Sequence, residues 1–255
     1  MIYVTGDCHG DFKRFGRKHR SFNFTSNDYI IVCGDFGLCW AKNKEFNFNC
    51  KNFAQRSETV LWVQGNHENY DMIAEYPLEE WHGGLVRHIV RDKVILLERG
   101  QVFTIDGVSI FSFGGAASHD ISDGILDKDD YVDEIDYLQA RYNFMRYKTY
   151  WREKGVSWWE QELPTPEEID IGLKALNNVN NRVDYIITHC CSSEIEEILG
   201  IKDHNILTDF FNYIDKFVDF KHWYFGHYHF DSNIDKKHSC LYYNVVPLGS
   251  LDISI

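Results

Sequence analysis

Five short segments carry side chains suited to holding cations: GDCHG at residues 6–10, GD at 34–35, GNHE at 65–68, TH at 188–189 and GHYH at 226–229. Together they offer Asp7, His9, Asp35, Asn66, His67, His189, His227 and His229, a nitrogen and oxygen set without thiolate. Such donors suit manganese, iron, zinc or nickel better than calcium or a structural cysteine–zinc site. Eight ligand-type residues exceed what one ion needs, so two ions are the natural count. Two metals roughly 3.5–4 Å apart form a clamp for in-line displacement at phosphorus. The glycines before Asp7, Asp35, Asn66 and His227 let the backbone turn sharply off a strand and approach the ions.

The triplet Asp35-Phe36-Gly37 has a second reading, because the same three residues hold magnesium in protein kinases. A kinase places a Gly-rich loop, a strand lysine and a catalytic-loop Asp ahead of that triplet. Only 34 residues precede Asp35, and the one partial match, VRDKV around Asp92, follows it. The kinase reading fails on order and spacing.

The elements that must position these side chains are legible as β-branched and aromatic runs. MIYVTGD, YIIVCGD, VLWVQGN, VDYIITH and HWYFGHYH each read as a buried strand whose C-terminal end spills polar residues into a loop. Strand ends are where open α/β sheets place their sites. Helical stretches follow the first two strands, at residues 11–20 and 43–58. Residues 94–113 read as an antiparallel meander, with ERG and the hairpin signal DG between apolar runs. TPEE at residues 165–168 is a capping box with proline at the first helical position, and residues 193–196 read as another. The last fifteen residues, LYYNVVPLGSLDISI, again look strand-like. Without an internal repeat or a Gly/Ser/Pro linker, the chain reads as one domain over residues 1–255 with a cap-like insertion at about 118–162. The insertion's aromatics and Leu138 recur at helical spacing, which predicts a helical hairpin packed on the core, or a cap over the strand-end site. Its acidic opening reads as a solvated face.

Composition narrows the function classes. The 255 residues are 44% hydrophobic and 25% charged, a soluble globular balance rather than a disordered one. A net charge of -13 argues against a broad basic surface for polymeric nucleic acid. Met1 leads directly into IYV, with no basic stretch before a long apolar run and no segment of membrane-spanning length. The expectation is a cytoplasmic protein without a membrane anchor. Seven cysteines without a C-x-x-C pair read as reduced, partly buried thiols.

The five segments, in this order, resemble the motif series of the calcineurin-like metallophosphoesterase superfamily: D-x-H, G-D, G-N-H-[ED], H and G-H-x-H. The resemblance spans residues 6–229. It implies a four-layer α/β/β/α sandwich of two mixed sheets, here with a helical cap insertion. It also implies two divalent metal ions, manganese first among the candidates, and a small phosphate ester as substrate. Carried over position by position, Asp7, His9 and His229 would hold one metal, and Asn66, His189 and His227 the other, with Asp35 bridging. A hydroxide shared by the ions would attack phosphorus. His67 would contact the phosphate and protonate the leaving oxygen. His19, His82, His88, His204, His222 and His238 stand outside the segments and are expected to serve packing or surface roles.

Two departures shape the expected substrate. Phosphoprotein phosphatases of this superfamily continue the second segment as G-D-x-x-D-R-G, where the Asp orients the catalytic His and the Arg grips phosphate. Leu38 and Cys39 stand in those places, leaving Glu68 or Asp120 as substitute orienters of His67. GGAASHD at residues 114–120 and WREKGVSWWEQE at 151–162 resemble a bacterial and phage subgroup with G-G-A-x-S-x-D, an arginine and G-x-S-W-W-x-x-E. Arg152 is then the candidate phosphate or substrate contact, through bidentate guanidinium pairing. Trp158 and Trp159 could stack on an aryl or base leaving group, with packing of the cap as their alternative use. The expected function is a dinuclear phosphoesterase acting on phosphodiesters or small nucleotides. The alternatives are a phosphoprotein phosphatase and a non-catalytic metal-binding regulatory protein on the same fold.

Overall fold

The computed structural model of the chain describes residues 1–16, 22–251 and 253. In chain order the strands are β1 (Ile2–Thr5), β2 (Tyr29–Val32), β3 (Thr59–Trp62), β4 (Glu79–Trp81), β5 (Gly84–Val90), β6 (Val94–Leu97), β7 (Gln101–Ile105) and β8 (Val108–Phe113). There follow β9 (Gly124–Leu126), β10 (Trp151–Glu153), β11 (Tyr185–Thr188), β12 (His222–Phe225), β13 (Ser232–Asn233), β14 (His238–Cys240) and β15 (Val246–Pro247). The helices are α1 (Lys44–Ala54), α2 (Tyr70–Ala74), α3 (Glu134–Tyr147), α4 (Pro166–Asn178), α5 (Ser193–Ile198) and α6 (Ile206–Phe217).

Two mixed sheets result. One has seven strands in the order β15-β1-β2-β3-β6-β5-β4, the other six in the order β13-β14-β12-β11-β8-β7. The inner strands of each run parallel: β1, β2, β3 and β6 in the first sheet, and β8, β11, β12 and β14 in the second. The two-residue strand period sorts their side chains between faces. In β2, Ile31 faces the layer between the sheets, while Ile30 and Val32 face α1 and α2. In β12, Tyr224 points inward, while Trp223 and Phe225 pack against α5 and α6. The outcome is four layers, helices–sheet–sheet–helices, with both sheet faces buried. That double burial is why these strands read as continuous apolar runs rather than alternating ones.

Helix α6 shows how its layer is held. Leu207, Phe210, Phe211 and Ile214 recur at helical spacing and are buried against the second sheet. Each contributes about 1.5–3 kcal/mol through burial. Asn205 caps the helix, accepting from the Leu207 and Thr208 amides at 2.9 and 3.1 Å. The Thr165 capping box on α4 forms as its sequence predicts, with Pro166 as the first helical residue. The second expected box lies one residue earlier: Ser192 caps α5 alone, accepting from the Ile195 amide at 3.3 Å.

Four further expectations are revised. The meander is only a hairpin, β7–β8, turned through Asp106 and Gly107, both at positive φ. β6 stays in the first sheet, and the chain crosses to the second at Glu98-Arg99-Gly100. Buried Arg99 anchors that crossing, donating to the carbonyls of Gly114 at 2.8 Å and Gln161 at 2.6 Å. After β1 there is one 3-10 turn, Lys13–Phe15, closed by extended Gly16; residues 17–20 of that expected helix, His19 included, lie outside the described residues. The insertion is not a helical hairpin: it holds the single helix α3 and a parallel two-stranded ladder, β9–β10. α3 turns Tyr137 and Arg141 toward Glu153 of β10, which leaves Leu138, Tyr142 and Met145 exposed. At the chain end, among the described residues, only the short β15 forms a strand, beside β1.

All seven cysteines are free, and six are buried. Burial pushes the Cys8 thiol up to about 12, which leaves it an inert packing group. Among the described residues, no helix is long and apolar enough to cross a membrane.

Candidate metal centre

The carboxyl ends of β1, β2, β3, β11 and β12 converge, and hydrogen bonds lock their loops together. The Cys8 and His9 amides donate to the Asp35 carbonyl at 2.9 and 2.8 Å. The Asp35 carboxylate accepts from the His67 amide at 2.8 Å, and the Asp7 carboxylate from the His227 amide at 3.0 Å. These contacts explain two of the glycines: a Cβ on Gly65 would lie 2.0 Å from Asp35 Oδ1, and one on Gly226 would lie 2.1 Å from Asp7 Oδ1. His9, Asp35, His227 and His229 all hold positive φ, a strained backbone state that clusters at functional sites.

The donor atoms form two overlapping groups, Asp7 with His9 and His229, and Asp7 with Asp35 and His189. In the first, His9 Nε2 lies 2.9 Å from His229 Nε2, and Asp7 Oδ2 lies 3.2 Å from His229 Nε2. Asp35 Oδ2 reaches within 3.8 Å of His9 Nε2, while Asp35 Oδ1 lies 3.4 Å from His189 Nε2. Asn66 Oδ1 is 3.1 Å from the same His189 atom. Two donors sharing one cation at about 2.1 Å stand roughly 3.0–3.4 Å apart, whether octahedral or tetrahedral. The spacing therefore fits cation binding, and Asp35 turns one oxygen toward each group.

Charge supports the same fit. Asp7 and Asp35 are fully buried, and among the described residues neither carboxylate is paired with a lysine or arginine. Buried carboxylates need compensating positive charge. Burial alone would raise the Asp35 pKa, but His189, His67 and His9 hold it well below the usual carboxylate range. Burial also opposes charge on His189, yet Asp35 and Asp7 push its pKa up to about 9. His189 thus keeps a proton that a seated cation would displace. Burial lowers the pKa of His9 and His227, favouring the neutral imidazole a metal requires. His189 is oriented by its Nδ1, which lies 2.7 Å from the Cys33 carbonyl, leaving Nε2 for the centre.

His67 stands at the rim, its ring 5.3 Å from that of His9. Neither expected orienter bonds its imidazole. Glu68 is buried and accepts the Phe36 amide at 2.9 Å, bracing the loop that carries Asp35. Asp120 instead pairs with Arg152, bonding its Nε at 3.0 Å and also its Nη2. Burial lowers the His67 pKa, and the positive charge of Arg152 adds to that lowering. Leu38 and Cys39 are buried in the core between the first sheet and α1. Trp40 emerges beside them and lines a cleft of about 250 Å³ with His9, Gly37 and His67. Trp159 packs edge-on to Trp40 at 5.9 Å and donates from Nε1 to Asp71 at 2.8 Å, so it is a packing residue that backs the cleft.

His82, His88, His204, His222 and His238 bond elsewhere: to Thr104, Asp92, Glu197, Ser239, and Asp215 with Asp235. One histidine at the site has no counterpart in the motif series. His119 Nε2 lies 2.9 Å from His227 Nε2. Its only sequence signal is its place between Ser118 and Asp120 of the GGAASHD segment.

The family model of calcineurin-like phosphoesterases matches residues 1–231. The chain belongs to the calcineurin-like phosphoesterase family, whose members are in general metal-dependent hydrolases of phosphate esters. Among curated proteins, none matches the chain.

Proposed function

We propose that the protein is a dinuclear phosphoesterase that hydrolyses small phosphate esters, with phosphodiesters and nucleotides ahead of phosphoproteins. The carrying observation is the donor spacing of 2.9–3.8 Å around two buried carboxylates that, among the described residues, no lysine or arginine pairs with. Asp7, His9 and His229 would hold one divalent cation, Asn66, His189 and His227 the other, and Asp35 both. When bound, such a pair of cations activates water and neutralises the charge that builds on phosphoryl oxygens. Manganese is the first candidate, and iron, zinc and nickel suit the same donors.

The remaining roles belong to the chain's own groups. His67, facing the cleft, would donate a proton to the leaving oxygen. A phosphoryl group beside it would raise its lowered pKa toward the acid form through simple charge attraction. Arg152 would pair with a nonbridging phosphate oxygen, held ready by Asp120. The leaving group would occupy the Trp40 cleft, whose indole suits a planar ring. Leu38 and Cys39, packed in the core, supply none of the polar contacts found there in protein phosphatases.

The test is a manganese-loaded comparison of 4-nitrophenyl phosphate, bis(4-nitrophenyl) phosphate, a short oligonucleotide and a phosphopeptide. The small diester is expected to show the highest kcat/KM. Trp40→Ala should raise KM for the aryl ester about tenfold, the scale of one lost stacking contact, and leave a methyl ester unaffected. Preference for the phosphopeptide, or an unchanged KM in Trp40→Ala, would sink the substrate assignment.

A further inference from the structure

Each residue of the tripeptide Ser118-His119-Asp120 touches a different part of the site. Ser118 Oγ accepts from Asn66 Nδ2 at 3.2 Å and donates to Glu162 Oε2 at 2.7 Å. That pairing decides which end of the Asn66 amide faces the centre: with Nδ2 tied back, Oδ1 points at His189. Only the amide oxygen can ligate a cation, so a flipped amide would cost a ligand. Glu162 is itself buried, which fixes the far end of the chain of bonds.

His119 does for His227 what the Cys33 carbonyl does for His189. It engages Nε2 at 2.9 Å, with the rings tilted by 34°, which leaves Nδ1 as the ring nitrogen His227 could offer a cation. A ligating histidine commonly has its other ring nitrogen held by such a partner, which sets tautomer and ring orientation. Asp120 accepts from Arg152 Nε and Nη2, one carboxylate oxygen each, which fixes the orientation of the guanidinium. Two of the partners, Arg152 and Glu162, come from the cap insertion, and Arg99 ties the loop before the tripeptide to that insertion through Gly114 and Gln161.

We infer that Ser118, His119 and Asp120 are positioning residues acting as one support: the first two set the second cation's ligands, and the third sets the phosphate-binding arginine. This rests on the dinuclear reading above. It also gives the cap a purpose, because the cap's Glu162 and Arg152 become part of the site's outer scaffold.

The test separates metal from substrate effects. Metal-free wild type and variants are titrated with manganese by calorimetry, and KM and kcat are measured on bis(4-nitrophenyl) phosphate at saturating manganese. Ser118→Ala and His119→Ala should weaken one of the two manganese sites by about 10–100-fold, the usual cost of losing a ligand's partner, and leave the other unchanged. His119→Gln, which keeps a hydrogen-bonding group, should recover most of the affinity. Asp120→Asn should bind manganese as wild type does, yet raise KM several-fold more than it lowers kcat. Thermal melts of the metal-free variants check that each is folded. A general packing role would weaken both manganese sites together in every variant, and that result overturns the inference. So does wild-type manganese binding in both Ser118→Ala and His119→Ala. A wild type that binds two manganese ions while those variants do the same sinks this inference alone; a wild type that binds none sinks the dinuclear reading with it.

Discussion

Asp35→Asn is expected to cut turnover severely and to cost the protein both cations at micromolar manganese. The carboxylate lies within 3.4 Å of His189 Nε2 through one oxygen and 3.8 Å of His9 Nε2 through the other. An amide offers one neutral oxygen where two charged ones stood, so it cannot serve both groups. Its nitrogen would also face an imidazole built to meet an anion. The loss of a bridge should remove about 4 kcal/mol of transition-state stabilisation, or roughly a thousandfold in kcat. Metal analysis after gel filtration and kcat on an aryl diester are the two readouts. Retained activity with two bound ions would remove Asp35 from the centre. The asparagine should still fold, since its nitrogen replaces a charge rather than a packing group.

His67→Gln is expected to behave differently, keeping the cations and losing rate in proportion to how much help the leaving group needs. A general acid contributes typically 10²–10⁴-fold when the departing oxygen is basic. An alkoxide requires that proton; 4-nitrophenolate hardly does. The variant should therefore lose about 10³-fold on an alkyl ester and about tenfold on a 4-nitrophenyl ester. The steeper dependence of log kcat on leaving-group pKa is the diagnostic quantity. An equal loss on every ester would instead assign His67 to phosphate binding alone. Because its imidazole has no hydrogen-bonded carboxylate among the described residues, no second substitution should mimic this slope change by acting through an orienter.

Much of this was readable in the residues themselves. The strand ends were legible because both faces of the inner strands are buried, giving unbroken apolar runs that stop abruptly at Gly-Asp, Gly-Asn and Gly-His. The ligand segments fall at those stops, while the four-layer sandwich was implied by the resemblance of those segments to the metallophosphoesterase series. The crossing between sheets was not legible. ERG looks like a turn, and what directs the chain across is Arg99, bonded to Gly114 and Gln161 far along the sequence. The cap misled for a related reason. Its helical spacing of apolar residues marks the outer side of α3, while the inner side is chosen by polar contacts to Glu153.

The site's outer residues show the same limit. Asp120 and Arg152 read as two separate candidates for contact with His67 or substrate, yet they are partners of each other. His119 has no periodicity or motif of its own, and only the three-dimensional approach to His227 reveals it. Leu38 and Cys39, by contrast, could be read by what they are not. That pair is buried, and Trp40 takes the exposed place beside it, lining the cleft with His67.

The most direct measurement is turnover of bis(4-nitrophenyl) phosphate during stepwise manganese titration of the metal-free protein. A dinuclear centre requires that the rate stay low through the first equivalent, rise to a plateau at about two equivalents and vanish on adding a chelator. Full turnover at one equivalent or fewer, or none at any manganese concentration in folded protein, would contradict it.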